Sequence, residues 1–214
     1  MAGHKGMFGS AIMRALDGAG FRNVVTASKS ELDLRNQDSV DSFFQQAKPG
    51  CVILAAAKVG GIRANMKYPV EFLQDNLMIQ GNVIEAAFRH KTQKFVFLGS
   101  SCIYPRDSPQ PIKEEYLLTG PLEPTNEGYA LAKIAGLKLL EYYAREYNWN
   151  TISLMPCNLY GPNDSFDPEH SHVLSALVKK FCDAADKRQN EVEIWGTGVA
   201  RREFMHVDDA ANAV

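Results

Sequence analysis

The sequence contains no apolar run that approaches the roughly 18 residues needed to cross a membrane. Neither sign of charge is in excess, because the 214 residues carry a formal net charge of −2, which predicts no broad attraction to nucleic acid or anionic membranes. The cysteines include no C-x-x-C pair and no zinc-ligand spacing; they are Cys51, Cys102, Cys157 and Cys182. Reduced thiols in a cytoplasmic protein are the simplest interpretation.

The first residues also lack the strand that normally precedes a glycine-rich loop. Gly3, Gly6 and Gly9 have G-x-x-G-x-x-G spacing before a helical pattern, which is typical of dinucleotide binding but also fits a plain glycine turn. The last residues, "HVDDAANAV", resemble an interrupted helix. We therefore expect a fragment of a longer protein. In that fragment a gap of about 9–10 Å would separate strands at Val24–Ala27 and Phe95–Leu98, where the first strand belongs.

Short apolar runs alternate with amphipathic stretches up to about residue 155. The runs predict strands at Val24–Ala27, Val52–Ala55, Phe95–Leu98 and Ile152–Met155, and the stretches predict helices at Phe8–Ala19, Ser39–Ala47, Val70–His90 and Tyr129–Tyr147. This order predicts an α/β fold, a Rossmann-like doubly wound parallel sheet. After Pro156 a polar loop, a helix at Val173–Ala185 and an apolar run at Val192–Trp195 follow. We expect a dinucleotide-binding domain over 1–155 and the start of a substrate-binding region over 156–214.

The end of the second predicted strand has no carboxylate at its tip. Sites for NAD use an Asp or Glu there to bind the ribose 2′-hydroxyl, whereas basic residues accept the 2′-phosphate of NADP. Here the strand ends in Ser28 and Lys29, and Lys5 lies within the glycine loop. The pattern favours NADP, although both lysines could simply be solvated surface charges. Asp33 is a candidate contact for the adenine.

Tyr129 and Lys133 are four residues apart, so that they share one face of a helix. An ammonium beside a phenol is expected to lower the pKa of the tyrosine, which could then pass a proton to a carbonyl oxygen while a nicotinamide supplies hydride. Such pairs are common by chance on exposed helices. Their position after the glycine loop and after Gly99-Ser100-Ser101 makes this pair specific.

Several segments together resemble the GDP-L-fucose synthases, a group of extended short-chain dehydrogenases/reductases. They are "AGHKGMFGSAI", "LAAAKVGGI", "LGSSCIYP", "LEPTNEGYALAKIAG", "NLYGPNDSFDPEHSHV" and "WGTGVARREFMHVDD". The resemblance implies an NADP-dependent 3,5-epimerase and 4-reductase that acts on GDP-4-keto-6-deoxy-D-mannose, and it implies a homodimer. Lys5 and Lys29 stand where bacterial relatives commonly carry arginines, which is expected to soften the preference for NADP.

The same resemblance implies a role for each site residue. Ser100, Tyr129 and Lys133 would form the reductase triad, and Cys102 and His172 the acid/base pair of epimerisation. The cofactor would contact Gly3, Lys5, Gly6, Met7, Phe8, Gly9, Lys29, Asp33, Leu34, Leu98, Gly99, Ser100, Ser101, Lys133, Pro156, Cys157, Asn158, Leu159 and His172. Lys180, Trp195 and Arg202 would face the sugar nucleotide.

Cys102 is the least usual of these residues. Inverting a carbon next to a ketone needs a base on one face and an acid on the other. A thiol near Ser100 can serve if its surroundings lower its pKa from about 8.5, and His172 is a natural counterpart. Without the resemblance, Cys102 would more often be a small buried hydrophobe, and His170 competes with His172.

Two other functions remain open from the sequence. A nucleotide-sugar 4-epimerase or 4,6-dehydratase of the same fold is one, although dehydratases tend to carry acidic residues where Cys102 and Ile103 stand. An inactive nucleotide-binding fragment is the other.

Overall fold

The structure is a computed structural model that describes residues 1–167, 171–194 and 196–214. Its helices are α1 (Met7–Gly18), α2 (Gln37–Ala47), α3 (Ile62–Lys67), α4 (Pro69–Arg89), α5 (Glu127–Tyr147), α6 (Val173–Asp186) and α7 (Val207–Asn212). Its strands are β1 (Cys51–Leu54), β2 (Lys94–Leu98), β3 (Asn150–Leu154), β4 (Asn158–Tyr160) and β5 (Phe204–His206). Short 3₁₀ helices lie at Ser101–Ile103, Glu114–Tyr116 and Pro124–Asn126.

The main sheet is parallel, with the strand order β1-β2-β3. Phe95 of β2 lies opposite Val52 on one side and opposite Thr151 on the other. Parallel strands leave their carboxyl ends at one edge of the sheet, where ligands bind in this class of fold. The predicted α/β class and the three strands at these positions are confirmed.

Helices cover both faces of this sheet, and β2 is therefore buried on both sides. Phe95 and Phe97 pack in a core with side chains of α2, α4 and α5, whereas Val96 and Leu98 pack in a second core with α1 and α7. Each fully buried side chain of this size contributes about 1.5–3 kcal/mol to folding. Alternate side chains of β2 thus anchor the strand in two cores. Leu98 and the residues directly after it lie at the edge of the cleft described below.

The strand predicted at Val24–Ala27 is wrong, because residues 21–28 have no regular secondary structure. The backbone nitrogen of Met1 donates to the carbonyl oxygen of Val25 at 2.9 Å. On its other side, the backbone nitrogen of Ala2 donates to Ile53 at 3.0 Å, and Ala55 donates back to Ala2 at 3.0 Å. Residues 1–2 thus lie between the Val25 segment and β1.

The gap predicted beside Phe95–Leu98 is also wrong, because another strand occupies that place. β1 pairs directly with β2 and lies between it and residues 1–2. The first strand of the fold was expected to pair with Phe95–Leu98. In the structure Ala2, where that strand would end, pairs with Leu54 of β1 instead. Apolar runs identify strands without giving their order, and this order decides which segments are neighbours.

Residues after 156 contribute to two places. β4 and β5 form a separate parallel pair, while α7 returns to α1 and buries Val207 and Ala211 in the second core. In the apolar run after α6, residues 191–194 have no regular secondary structure, and Trp195 lies outside the described residues. The division of the chain near residue 156 stays a prediction. Among the described helices, none is both long and apolar enough to span a bilayer.

Candidate active site

The glycine loop before α1 is closely packed on two sides and open on a third. Gly3 has a φ of +86°, and a Cβ there would lie 2.5 Å from the backbone nitrogen of Ala56. A Cβ at Gly9 would lie 1.9 Å from the carbonyl oxygen of Gly3. A Cβ at Gly6 would meet only that same oxygen, at 3.6 Å. Only glycine fits at Gly3 and Gly9. Gly6 keeps space open in front of the helix.

The start of α1 offers unpaired backbone N–H groups next to this space. Gly6 is the N-cap, no side chain caps the first turn, and the first turn contains no acidic residue. A helix start in this state carries partial positive charge. Lys5 adds a full positive charge beside it. The arrangement suits an anionic group such as a pyrophosphate.

A cleft of about 2860 Å³ runs from the glycine loop past the ends of β1 and β2 to the start of α6. Its lining brings together every described residue that the sequence singled out. These are Gly3, Lys5, Gly6, Met7, Phe8, Gly9, Lys29, Asp33, Leu34, Leu98, Gly99, Ser100, Ser101, Cys102, Tyr129, Lys133, Pro156, Cys157, Asn158, Leu159, His172, Lys180 and Arg202. Shared location makes a common site possible, and the individual roles stay predictions.

Ser100 connects the predicted reductase and epimerase groups. It follows β2 and caps a 3₁₀ helix, where its Oγ accepts a hydrogen bond of 3.4 Å from the backbone nitrogen of Cys102. Burial raises the pKa of the Cys102 thiol and of the Tyr129 phenol, and the nearby Ser100 side chain partly opposes this in both groups. A phenol, a hydroxyl and a thiol therefore meet at the carboxyl end of one strand.

Burial raises the pKa of the Cys102 thiol, and the nearby Ser100 and Lys133 only partly oppose this. The sequence interpretation required surroundings that lower this pKa, and the structure shows the opposite. Cys102 is half-buried and packs against the core that contains Phe95 and Phe97. The thiol is therefore in its protonated form near neutral pH.

Tyr129 and Lys133 lie one turn apart on α5, as their spacing predicts. The Nζ of Lys133 donates 2.7 Å to the carbonyl oxygen of Leu98 and lies 5.7 Å from the centre of the Tyr129 ring. Burial lowers the pKa of Lys133 to about 8, against a raising effect of Cys102. Burial also raises the pKa of Tyr129, with a further increase from Cys102. The predicted lowering of the tyrosine pKa is therefore wrong for the protein alone, because burial and Cys102 raise this pKa and Ser100 only partly opposes them.

His172 forms the start of α6 on another part of the cleft wall. It is the N-cap residue, and its carbonyl oxygen accepts hydrogen bonds from the Ala176 nitrogen at 2.9 Å and the Ser175 hydroxyl at 3.1 Å. These bonds fix the backbone from which the imidazole projects. Its competitor His170 lies outside the described residues.

An acid that the sequence interpretation missed lies beside Ser28, which lines the cleft next to Lys29. Glu31 accepts hydrogen bonds through its Oε2 from the Ser28 nitrogen at 2.7 Å and from the Ser28 Oγ at 2.6 Å. A carboxylate that comes from outside the two residues of this tip therefore lies beside Ser28. The spacing Ser28-x-x-Glu31 was the available signal, because a Glu three residues after a Ser commonly folds back to it.

Asp33 does not present a free carboxylate to the cleft. The guanidinium of Arg35 donates to it at 2.6–3.2 Å and also approaches Asp75 of α4 at 3.4 Å. Arg35 lowers the pKa of Asp33 to about 2. The side-chain nitrogen of Asn82 donates 2.9 Å to the Leu34 carbonyl, so that this loop is held on α4.

Of the residues predicted to contact the sugar nucleotide, Lys180 is half-buried and Arg202 is exposed. The Nζ of Lys180 donates 3.1 Å to the carbonyl oxygen of Glu193, and Arg202 donates 2.7 Å to the carbonyl oxygen of Arg201. Both side chains line the cleft on the side of α6. Trp195, the third predicted residue, lies outside the described residues.

Comparison with known proteins identifies the family. The sequence profile of the NAD dependent epimerase/dehydratase family matches residues 1–214. The chain belongs to this family. Family membership confirms the predicted Rossmann-like fold and agrees with a nicotinamide dinucleotide in the cleft.

Individual members of the NAD dependent epimerase/dehydratase family show a narrower similarity. The chain is 57% identical over 213 residues to GDP-L-fucose synthase 1 of Arabidopsis thaliana and 50% identical over 213 residues to GDP-L-fucose synthase of Escherichia coli. These matches cover 100% of the chain and 66% of each relative. Among solved structures, a GDP-D-glycero-L-gluco-heptose synthase from Campylobacter jejuni, determined in the presence of NADPH, is 40% identical with a TM-score of 0.90. That match covers 99% of this chain and 71% of the other. The predicted resemblance to GDP-L-fucose synthases is confirmed.

Proposed function

We propose that the protein is an NADPH-dependent epimerase and reductase that converts GDP-4-keto-6-deoxy-D-mannose to GDP-L-fucose. The observation that carries this proposal is the placement of Ser100. Its Oγ accepts a hydrogen bond of 3.4 Å from the backbone nitrogen of Cys102, and it lines the same cleft as the Tyr129 phenol and the Cys102 thiol. Burial raises the pKa of both groups, and Ser100 partly opposes this in each. A simple ketone reductase has no use for the thiol, and a dehydratase needs an acid where Cys102 stands. Because the chain spans about two thirds of its curated relatives, activity is proposed for a protein of their full length.

The residues near the glycine loop fit NADPH. Gly6 leaves room in front of the uncapped start of α1 for the pyrophosphate, and Lys5 and Lys29 line the cleft where a 2′-phosphate would add negative charge. When bound, the nicotinamide supplies the hydride for reduction. Leu98, Gly99 and the segment Pro156 to Leu159 form the wall on the other side of the cleft.

Reduction of the C4 ketone uses a proton from the chain. Tyr129 holds that proton on its phenol oxygen, since burial keeps the phenol neutral, and Ser100 donates a hydrogen bond to the same substrate oxygen. Lys133 is fixed by Leu98 and keeps the tyrosine in position. As negative charge develops on the C4 oxygen, these donors stabilise it.

Epimerisation at C3 and C5 uses the same stabilised oxygen. The thiolate of Cys102, formed when the thiol releases its proton to solvent, removes the proton from the carbon next to the ketone. The resulting enolate places its charge on the C4 oxygen beside Ser100 and Tyr129. His172 delivers a proton to the opposite face of the ring. A raised thiol pKa makes the Cys102 thiolate a strong base. It also makes loss of the thiol proton the step that limits epimerisation at low pH.

The cytoplasm is the proposed location, and a homodimer is the proposed assembly. Cytoplasmic location is supported by four cysteines that form no disulfide. A dimer would cover exposed apolar side chains on two neighbouring helices, which are Val70, Leu77 and Met78 of α4 and Leu131 and Tyr142 of α5. Substrate contacts of Lys180, Trp195 and Arg202 belong to the same proposal.

The deciding experiment is an incubation of the protein, extended to the length of its relatives, with NADPH and GDP-4-keto-6-deoxy-D-mannose. Formation of GDP-L-fucose, identified by NMR of the sugar, is expected. Formation of GDP-6-deoxy-D-talose or GDP-D-rhamnose would show reduction without epimerisation. Release of tightly bound NAD on denaturation, with no net oxidation of NADPH, would favour a 4-epimerase or dehydratase.

A further inference from the structure

The carboxylate of Glu31 occupies two hydrogen-bond donors at the point where a cofactor ribose is expected. Its Oε2 accepts from the Ser28 nitrogen at 2.7 Å and from the Ser28 hydroxyl at 2.6 Å. The Ser28 Oγ also lies 2.9 Å from the Oγ of Ser30. The hydroxyl and the backbone N–H of Ser28 are therefore both engaged by one internal anion.

This anion is exposed and is bonded to Ser28 at the edge of the positive corner of the cleft, although Glu31 itself does not line the cleft. Ser28, Lys29 and Lys5 line the cleft there. The pKa of Glu31 is lowered mainly by the hydrogen bonds from Ser28, and further by the charges of Lys5 and His4. Part of the positive charge that would attract a phosphate is thus already facing a carboxylate.

We propose that Glu31 is a specificity-determining residue that weakens the preference of this protein for NADP over NAD. It does so by holding both hydrogen-bond donors of Ser28 at the edge of the cleft and by placing a carboxylate beside them. The inference rests on the proposed function, because it assumes that the ribose of a nicotinamide dinucleotide lies beside Ser28 and Lys29.

The two cofactors interact differently with this corner. A 2′-phosphate needs N–H and O–H donors together with cations, and it is repelled by a neighbouring carboxylate. The 2′-hydroxyl of NAD can instead donate a hydrogen bond to a carboxylate, as it does to the acid at the strand end of NAD sites. Glu31 thus resembles that acid, although it comes from three residues further along the chain.

A purely structural role for Glu31 makes a different prediction. The spacing Ser28-x-x-Glu31 matches a capping box, and the Glu31 nitrogen donates 3.0 Å to the Ser28 carbonyl oxygen as part of the same turn. If Glu31 only holds this turn, its replacement should weaken NADPH and NADH by the same factor. If it competes with the phosphate, the two affinities should change relative to each other.

The test measures dissociation constants of NADPH and NADH by fluorescence for the wild type, Glu31→Gln and Glu31→Ala, in the protein extended to its relatives' length. Glu31→Gln keeps an acceptor for Ser28 but removes the charge, whereas Glu31→Ala also releases both donors. The ratio Kd(NADH)/Kd(NADPH) should rise about threefold to fivefold in Glu31→Gln, as for an exposed charge pair, and further in Glu31→Ala. Glu115→Gln, at an exposed carboxylate paired with Lys113, is the matched control and should leave the ratio unchanged.

Two results would overturn the proposal. An unchanged or lower ratio in both Glu31 variants, with the wild type binding both cofactors, would leave the proposed function standing and reduce Glu31 to a structural residue. Binding of neither cofactor by the wild type would remove the proposed function and this inference together. Circular dichroism of Glu31→Gln, which retains the turn, shows whether a changed ratio comes from a folded protein.

Discussion

Lys133 on α5 donates a hydrogen bond of 2.7 Å to the carbonyl oxygen of Leu98 at the end of β2. The bond connects the helix that carries Tyr129 to the strand that leads to Ser100 and Cys102. It also satisfies a buried ammonium, which would otherwise be strongly unfavourable. The relative position of the phenol, the hydroxyl and the thiol thus depends on one buried lysine.

The low pKa of Lys133 predicts a pH dependence of stability. Between pH 8 and the ordinary lysine value of 10.5, the unfolded chain binds the Lys133 proton, whereas the folded chain has released it. Stability contributed by this group therefore rises with pH in this range, by at most about 1.4 kcal/mol per pH unit. Urea denaturation of the wild type and Lys133→Met from pH 8 to 9.5 should show a difference that grows in favour of the wild type. Lys138→Met, at a surface lysine paired with Glu141, is the control, and an equally flat difference for both variants would contradict the lowered pKa.

Tyr129→Phe should abolish NADPH oxidation, because it removes the proton that the C4 oxygen receives. Cofactor affinity should remain within about threefold, since the phenol oxygen is a small part of the cofactor contact. Stopped-flow absorbance at the nicotinamide band measures the first quantity, and fluorescence titration measures the second. Tyr147→Phe, at an exposed tyrosine on the same helix, is the control. Turnover by Tyr129→Phe at the wild-type rate would remove Tyr129 from the catalytic set.

Cys102→Ser should stop exchange of the C3 and C5 protons of the substrate with solvent deuterium. In the wild type the exchange rate should rise with pH above neutrality, because burial raises the thiol pKa and the thiolate is the base. NMR of the sugar in deuterated buffer follows both effects, and Cys182→Ser, at an exposed cysteine of α6, should behave as the wild type. Exchange that continues unchanged in Cys102→Ser would make Cys102 a buried structural residue.

The sequence predicted the parts of the fold that local patterns encode. Phe95–Leu98 is apolar at every position, and this is how a strand buried on both faces reads. Tyr129 and Lys133 share a helix face whatever surrounds them. The order of the strands was not predictable in this way, because Ala2 pairs with Leu54 through backbone groups that leave no trace in side-chain type.

The sequence predicted residues that line one cleft, but it did not predict the electrostatics there. The direction of the Tyr129 and Cys102 pKa shifts depends on burial by the surrounding core, which no four-residue spacing reports. Glu31 was not predicted because the strand-tip pattern covers only the residues directly after the strand. A turn brings the Glu31 carboxylate back to Ser28, three residues earlier in the chain. Arg35 was missed because its partners, Asp33 and Asp75, are 2 and 40 residues away.

Lys29→Glu should shift cofactor preference toward NADH. It replaces a positive charge that lines the cleft with a carboxylate, next to the carboxylate of Glu31. The ratio of kcat/KM for NADPH to that for NADH should fall by at least about tenfold, roughly 1.4 kcal/mol. Initial rates with each cofactor give this ratio, and Lys187→Glu, at an exposed lysine after α6, should leave it unchanged. No change in Lys29→Glu would place the 2′-phosphate away from Lys29.

The glycine loop allows packing and ligand binding to be separated by three single substitutions. Gly9→Ala should lower the free energy of unfolding by about 2–3 kcal/mol, because its Cβ would lie 1.9 Å from the Gly3 carbonyl oxygen and the backbone must move. Gly6→Ala has no such clash and should cost only about 1 kcal/mol, since alanine is a poorer N-cap than glycine. Its methyl group would nevertheless fill the space in front of α1, so that NADPH affinity should fall at least tenfold while the protein stays folded. Gly18→Ala, at the other end of α1 with nothing within 4 Å, should change neither stability nor affinity adversely. Urea denaturation and NADPH titration of the three variants test this, and unchanged NADPH affinity in a folded Gly6→Ala protein would show that no phosphate lies against the start of α1.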